Sequence, residues 1–199
     1  MKLIIARHGE TASNRDGLVL GRSDSFLTIQ GLATVRRMPK MFTDYKPEVL
    51  LSSVLGRAAY TAAIYSERLG LPLYFTPTLA ELSCGVWEGL RRSDAGADRA
   101  SLRNTWTERP AGGESFADAE TRVTSLIAEI RAMANRSIIL IVGHSAVNRV
   151  LLKIWLELEP RIAIRVLFPH DAIYIVEETG SVRHRFADGT ETDGLLFEP

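Results

Sequence analysis

Leu3-Ile4-Ile5-Ala6-Arg7-His8-Gly9-Glu10-Thr11 sets four apolar residues directly against an Arg-His-Gly-Glu cluster. The run is unbroken and too short for a helix, which predicts a central strand over residues 2–6, covered on both faces. The chain repeats this layout further on: Ser137-Ile138-Ile139-Leu140-Ile141-Val142 reads as a second buried strand, and Gly143-His144-Ser145 and a helical stretch follow at once. In an open parallel sheet, ligands bind beyond the carboxyl ends of the strands. Two such strands imply an α/β protein with a mostly parallel central sheet covered by helices on both faces, in three α/β/α layers. Each strand delivers a histidine to the ligand-binding edge.

Outward from these strands the same alternation continues. Weaker strands are predicted over residues 49–52, 73–75, 172–177 and 182–186, the last two joined by the turn-forming Thr179-Gly180. Helical patterns cover residues 28–38, ended or kinked by Pro39; 57–69, closed by Gly70 and Pro72; 115–134; and 146–158, stopped by Pro160. Residues 79–113 are less periodic and rich in Gly, Arg and Trp, so they read as a lid or substrate-specificity insertion within one domain spanning 1–199.

Composition removes several classes of function. Lys plus Arg and Asp plus Glu each number 24 among the 199 residues, so no overall field recruits nucleic acid or an anionic membrane. The single cysteine, Cys84, has no internal disulfide partner, and neither end shows a basic-then-apolar leader or a long apolar span. The expectation is a cytoplasmic protein whose partner is a small molecule; no motif sets an oligomeric state. The histidines at 8, 144, 170 and 184 show no metal-ligand spacing, so no metal and no cofactor is expected.

The residues at the predicted crevice point to an anionic ligand. Arg7 offers a planar fork for phosphate or carboxylate, Gly9 lets a ligand approach the backbone, and Asn14 adds a neutral donor. If the two buried strands are neighbours, His8 and His144 converge, together with the amino end of the 146–158 helix and its free N–H groups. In Ser52-Ser53-Val54-Leu55-Gly56-Arg57 a strand ends and a helix begins at Arg57, which aims a second guanidinium at the same edge. Read singly, each histidine is an ordinary satisfied polar residue and Arg57 a solvated first-turn arginine.

Taken in order, the motifs resemble the histidine phosphatase superfamily, which includes the cofactor-dependent phosphoglycerate mutases. Arg7-His8-Gly9-Glu10-Thr11 is similar to its signature, and residues 21–31 are similar to its next block. The stretch from Ser52 to Thr61 carries its second arginine, while Glu81 to Gly89, Gly112 to Ser115 and Val142 to Ser145 complete the collinear match. The resemblance implies a phosphomonoester hydrolase. In it His8 is the nucleophile that forms a phosphohistidine, Glu81 the proton donor, and Arg7, Asn14, Arg57 and His144 the groups around the phosphoryl oxygens. It also implies a small phosphorylated metabolite as substrate, with sugar phosphates, phosphoglycerates, nucleotide-like esters and α-ribazole phosphate all compatible.

Departures from the family pattern refine this. Ser145-Ala146 follows the second histidine where many relatives carry glycines, and Phe26 replaces a common proline. Mutase relatives carry an arginine and tyrosine pair after the glutamate; here the stretch reads Ser83-Cys84-Gly85-Val86-Trp87, as in the phosphatases, so hydrolysis is favoured over mutase-type phosphotransfer. Two other classes remain as alternatives. Gly143-His144-Ser145-Ala146-Val147 approaches the nucleophile elbow of serine hydrolases, with Ser145, Asp171 and His184 in that family's chain order, and a catalytically idle phospholigand-binding module is the other. Leu20, Trp87, Arg91 and Ser145 are expected to line the substrate side of the crevice.

Overall fold

The computed structural model describes residues 1–95, 103–132 and 138–197. Seven strands form one sheet in the order β3-β2-β4-β1-β5-β6-β7: β1 Lys2–Arg7, β2 Val49–Ser53, β3 Leu73–Thr76, β4 Ile138–Gly143, β5 Ala172–Glu177, β6 Val182–Phe186 and β7 Glu191–Asp193. The half β3-β2-β4-β1 is parallel throughout, while β5 pairs antiparallel with β1 and continues antiparallel through β6 and β7. The sheet is therefore mixed. Its parallel half is the part that carries the two histidine-bearing strands, and Gly180 at φ +88° turns the hairpin between β5 and β6.

Alternation along the strands builds two cores. Leu3 and Ile5 of β1 and Ile139 and Ile141 of β4 face one side, against α5 (Phe116–Ala132) and α6 (Ser145–Leu156). Ile4, Ala6, Leu140 and Val142 face the other, against α2 (Ile29–Arg37), α3 (Pro39–Phe42) and α4 (Gly56–Leu69). These strand residues are fully buried, each stabilising the fold by roughly 1.5–3 kcal/mol if aliphatic and large, which explains why both strands read as unbroken apolar runs.

Local signals set the helix ends. Thr28 caps α2 by accepting from the Gly31 amide at 2.8 Å, and Pro39 opens α3 at its first position, where a missing N–H costs no hydrogen bond. Gly70, at φ +66°, terminates α4. Pro160 likewise starts a short helix, α7 (Pro160–Ala163), rather than only stopping α6. The sequence pattern missed α7, the four-residue α1 (Ala12–Arg15) and β7, all too short to show a period. Ser137, proposed as a strand start, and residues 133–134, proposed as a helix end, lie outside the described residues. In the segment 79–113, which follows a 3-10 turn at Pro77–Leu79, the described residues contain one further 3-10 turn at Gly85–Trp87 and no strand; residues 96–102 lie outside the description.

Candidate active site

The register of β1 on β4 pairs Arg7 with Gly143, so the next residue on each strand, His8 and His144, leaves the sheet at the same level. The His8 amide donates to the Gly143 carbonyl at 3.0 Å, and the two imidazole centroids lie 5.0 Å apart. On the far side of β4, β2 ends at Ser53, and α4 begins three residues later with Arg57 in its first turn. Three strand ends thus converge.

Hydrogen bonds fix the form of each imidazole. His8 Nδ1 lies 2.8 Å from the Gly9 carbonyl, which can only accept, so the ring proton sits on Nδ1 and Nε2 keeps its lone pair. Arg57 Nε–H donates to that lone pair at 3.3 Å. Burial, then the proximity of the titratable His144 and the charge of Arg7, holds the His8 imidazole well below the usual histidine range. The ring is neutral and nucleophilic. His144 Nε2 is 2.8 Å from Ser53 Oγ, which already accepts the Leu55 amide at 3.2 Å. Among the described residues the Ser53 hydrogen has no acceptor other than Nε2, so it is directed there, and the proton of the neutral ring sits on Nδ1, which is buried without a protein partner. Burial, followed by the charges of Arg57 and Arg7, keeps this ring neutral as well.

Arg57 is clamped by the loop after α1. Its terminal nitrogens donate to the Ser23 carbonyl at 2.7 Å, the Gly21 carbonyl at 2.8 Å and the Asp24 carboxylate at 3.4 Å. That loop is in turn gripped by Glu88, which accepts from the Arg22 amide at 3.1 Å, the Ser23 hydroxyl at 2.7 Å and the Cys84 amide at 3.0 Å. Gly21 has φ +54°, and a Cβ there would lie 2.2 Å from Glu88 Oε1. Only glycine lets the carboxylate close on the loop. Arg7 donates to the Phe168 carbonyl at 3.0 Å, while its Nε is buried without a partner; burial, opposed by Glu81, pushes the guanidinium down to about 10.

Two expectations change at this point. Two first-turn amides of α6 are not free donors: Glu81 accepts from the Ala146 amide at 3.2 Å and the Val147 amide at 3.1 Å, as well as from Leu82 at 3.0 Å. A carboxylate at a helix N-terminus is favoured by the same partial charge that would attract a phosphate. Gly9 does not open the backbone to a ligand either; a Cβ there would meet Val35 Cγ2 at 2.5 Å, so the missing side chain serves the packing of α2.

A cavity of about 400 Å³ gathers most of the expected residues: Arg7, His8, Asn14, Leu20, Arg57, Glu81 and Ser145 all line it, whereas His144, fully buried beside His8, is not in the lining. The Asn14 oxygen is occupied by Thr11, its amide at 3.2 Å and its hydroxyl at 3.0 Å, so the Asn14 NH₂ is the end left to donate. Trp87 and Arg91 are not part of the lining. Arg91 is exposed, paired across a bridge with Leu18, and Arg92 lines the cavity in its place; Trp87 packs 5.8 Å from the Arg103 guanidinium. The serine-hydrolase arrangement is not assembled. Asp171 is exposed, and His184, on β6, bonds the Gly194 carbonyl at 2.9 Å away from this cavity. Cys84 is a buried thiol that burial pushes up to about 11, which leaves it protonated and quiet.

Sequence reasoning missed Arg103, Arg149 and His170, which also line the cavity. Phe168-Pro169-His170 precedes β5, but nothing local shows that β5 lies beside β1.

The profile of the histidine phosphatase superfamily (branch 1) matches residues 3–184. The chain belongs to that superfamily. It is a phosphatase of that superfamily. It is 30% identical over 157 residues to the adenosylcobalamin/alpha-ribazole phosphatase of Escherichia coli K12, covering 76% of this chain and 77% of the relative. It is 33% identical over 135 residues to the glucosyl-3-phosphoglycerate phosphatase of Mycobacterium tuberculosis, covering 66% of this chain and 60% of that protein's length. In fold it resembles a mycobacterial glucosyl-3-phosphoglycerate phosphatase solved with VO3, at a TM-score of 0.81 and 24% identity over 100% of this chain and 99% of the other. Among the described residues no helix is long and apolar enough to cross a membrane.

Proposed function

We propose that this histidine phosphatase hydrolyses small phosphomonoesters of metabolites through a phosphohistidine at His8 Nε2. The observation that carries the reading is the fixed His8 tautomer, with Nδ1–H held on the Gly9 carbonyl and the Nε2 lone pair turned to Arg57 at the cavity. In the first step Nε2 attacks phosphorus and the ester P–O bond breaks. In this reading Arg7, the Arg57 guanidinium, the Asn14 NH₂ and His144 donate to the phosphoryl oxygens, and the two guanidiniums balance their charge.

Glu81 gives the departing oxygen its proton. Its carboxyl must first take up a proton and release at least one of the α6 amides it now bonds. Water then attacks phosphorus, the P–N bond breaks, and Glu81 receives the water's proton.

Guanidiniums fill the role that a divalent cation has in other phosphoryl transfers, so no metal and no cofactor is needed. The arginine and tyrosine pair of the mutases is absent after Glu81, which favours water over a second substrate as acceptor. Residues 79–113 act as the specificity insertion, since Leu82, Cys84, Arg92 and Arg103 bring it to the cavity. The names of the two relatives suggest sugar- or ribazole-linked phosphates as the first substrates to try. A cytoplasmic site of action, with neither nucleic acid nor membrane as partner, suits the balanced charge and the lone, buried cysteine.

The test is chemical trapping. During turnover, acid-labile, base-stable phosphate should appear on the wild-type protein, and His8→Ala should abolish both the label and the release of phosphate. Full activity in His8→Ala would refute the reading.

A further inference from the structure

Three histidines meet at this site, and each has one ring nitrogen pinned by the protein. His8 uses Nδ1 on the Gly9 carbonyl and His144 uses Nε2 on Ser53. His170 uses Nδ1, 2.7 Å from the carbonyl oxygen of His8 itself, with its ring edge-on to the His8 ring at a centroid distance of 5.3 Å. A carbonyl only accepts, so His170 carries its proton on Nδ1 and a lone pair on Nε2. No described protein group bonds that Nε2, and the side chain lines the cavity.

An acceptor here is out of keeping with its surroundings. The groups beside His8 in the cavity lining that could meet a phosphoryl group are donors, the Arg7 and Arg57 guanidiniums and the Asn14 amide. Glu81 is already satisfied by three amides. A phosphoryl dianion has no hydrogen to give, so a bound ligand that displaces solvent from the half-buried His170 Nε2 must offer it a hydrogen from elsewhere in the molecule. Burial, then the charge of Arg7, pushes the His170 imidazole down to about 3, so it does not become a donor at neutral pH.

From this geometry we infer that His170 is a specificity-determining residue whose Nε2 accepts a hydrogen bond from a hydroxyl near the phosphate ester, selecting phosphorylated polyols and sugars over simple alkyl phosphates. The inference rests on the phosphatase reading above and names its substrate class. A buried acceptor left unpaired by a deoxy analogue is costly, and sites that bond a substrate hydroxyl reject analogues lacking it.

The test compares glycerol 3-phosphate with n-propyl phosphate, with nitrophenyl phosphate as a separate check that the protein is a phosphatase at all. The wild type should favour the diol ester in kcat/KM by roughly 10- to 100-fold. His170→Asn places an amide donor where Nδ1 stood and no atom where Nε2 stood, so it keeps the anchor on His8 and should bring the ratio close to one. A wild type that does not discriminate overturns the inference whatever the variants do. So does a His170→Asn protein that keeps the ratio, or one that slows equally on both esters, which would place His170 on the chemical step instead.

Discussion

Arg57 Nε–H points at His8 Nε2 across 3.3 Å, while the other two nitrogens of the same guanidinium rest on the Ser23 and Gly21 carbonyls. The contact joins the proposed nucleophile to the cation proposed to neutralise its target. Arg57→Ala should lower kcat/KM by about 10²–10³, the scale of a lost oxyanion donor, and weaken vanadate inhibition in parallel. Steady-state kinetics with vanadate titration checks this; unchanged vanadate affinity would remove Arg57 from the phosphoryl site.

Glu88 acts on the same arginine from a distance. It grips the loop whose carbonyls hold Arg57, through Arg22, Ser23 and Cys84. Glu88→Ala should cost activity on every substrate, and the loss should be far from additive in the double variant with Arg57→Ala. An additive double-mutant cycle would mean that Glu88 only supports general stability.

Glu81→Gln separates leaving groups. An alkoxide needs a proton as it departs, whereas nitrophenolate does not, so hydrolysis of alkyl phosphates should slow by about 10²–10⁴-fold and nitrophenyl phosphate much less. Equal losses on both, with dephosphorylation shown not to be limiting, would assign the acid elsewhere. Gln also places an NH₂ against the α6 amides, so a drop in stability of about 1 kcal/mol should accompany the kinetic effect.

The neutral histidines predict acid sensitivity. His8, His144 and His170 are all held below the ordinary value of 6.5, by burial first and by neighbouring positive charge second. As pH falls below 6.5 the unfolded chain takes up protons that the folded one refuses, so stability falls with pH in this window. Each group contributes at most about 1.4 kcal/mol per pH unit, or about 4 kcal/mol for three. Urea unfolding between pH 7 and 5 measures the slope, and His170→Asn should flatten it by about a third.

If arginines supply the positive charge, as proposed, chelators should leave turnover intact, while vanadate and inorganic phosphate compete with substrate. Among the described residues no group of three or more His, Cys, Asp or Glu could hold a metal ion. Loss of activity in a chelator, restored by a divalent ion, would contradict the guanidinium mechanism.

Particular residues show why some of this was legible in sequence and some was not. The apolar runs before His8 and His144 revealed central strands because residues buried on both faces of a sheet leave no polar alternation. The ordered motifs around Arg7, Arg57 and His144 pointed to one site because each sits at a strand end or helix start, whereas Glu81 lies in the irregular stretch after Leu79. By contrast, Arg91 and Arg92 are chemically the same in sequence, and only the path of the chain turned Arg91 to solvent and Arg92 to the cavity.

The sequence by itself determined the α/β class, the two histidines at the ends of buried strands and the cationic setting, since these follow from local periodicity and from residue types at element ends. Only the tertiary structure decided the antiparallel half of the sheet, the seating of Glu81 on the α6 amides and the bond from His170 to the His8 carbonyl. The physical reason is range. The Glu81 and His170 contacts join residues between 65 and 162 positions apart, and β5 is brought beside β1 from the far end of the chain, with no local pattern recording any of these approaches.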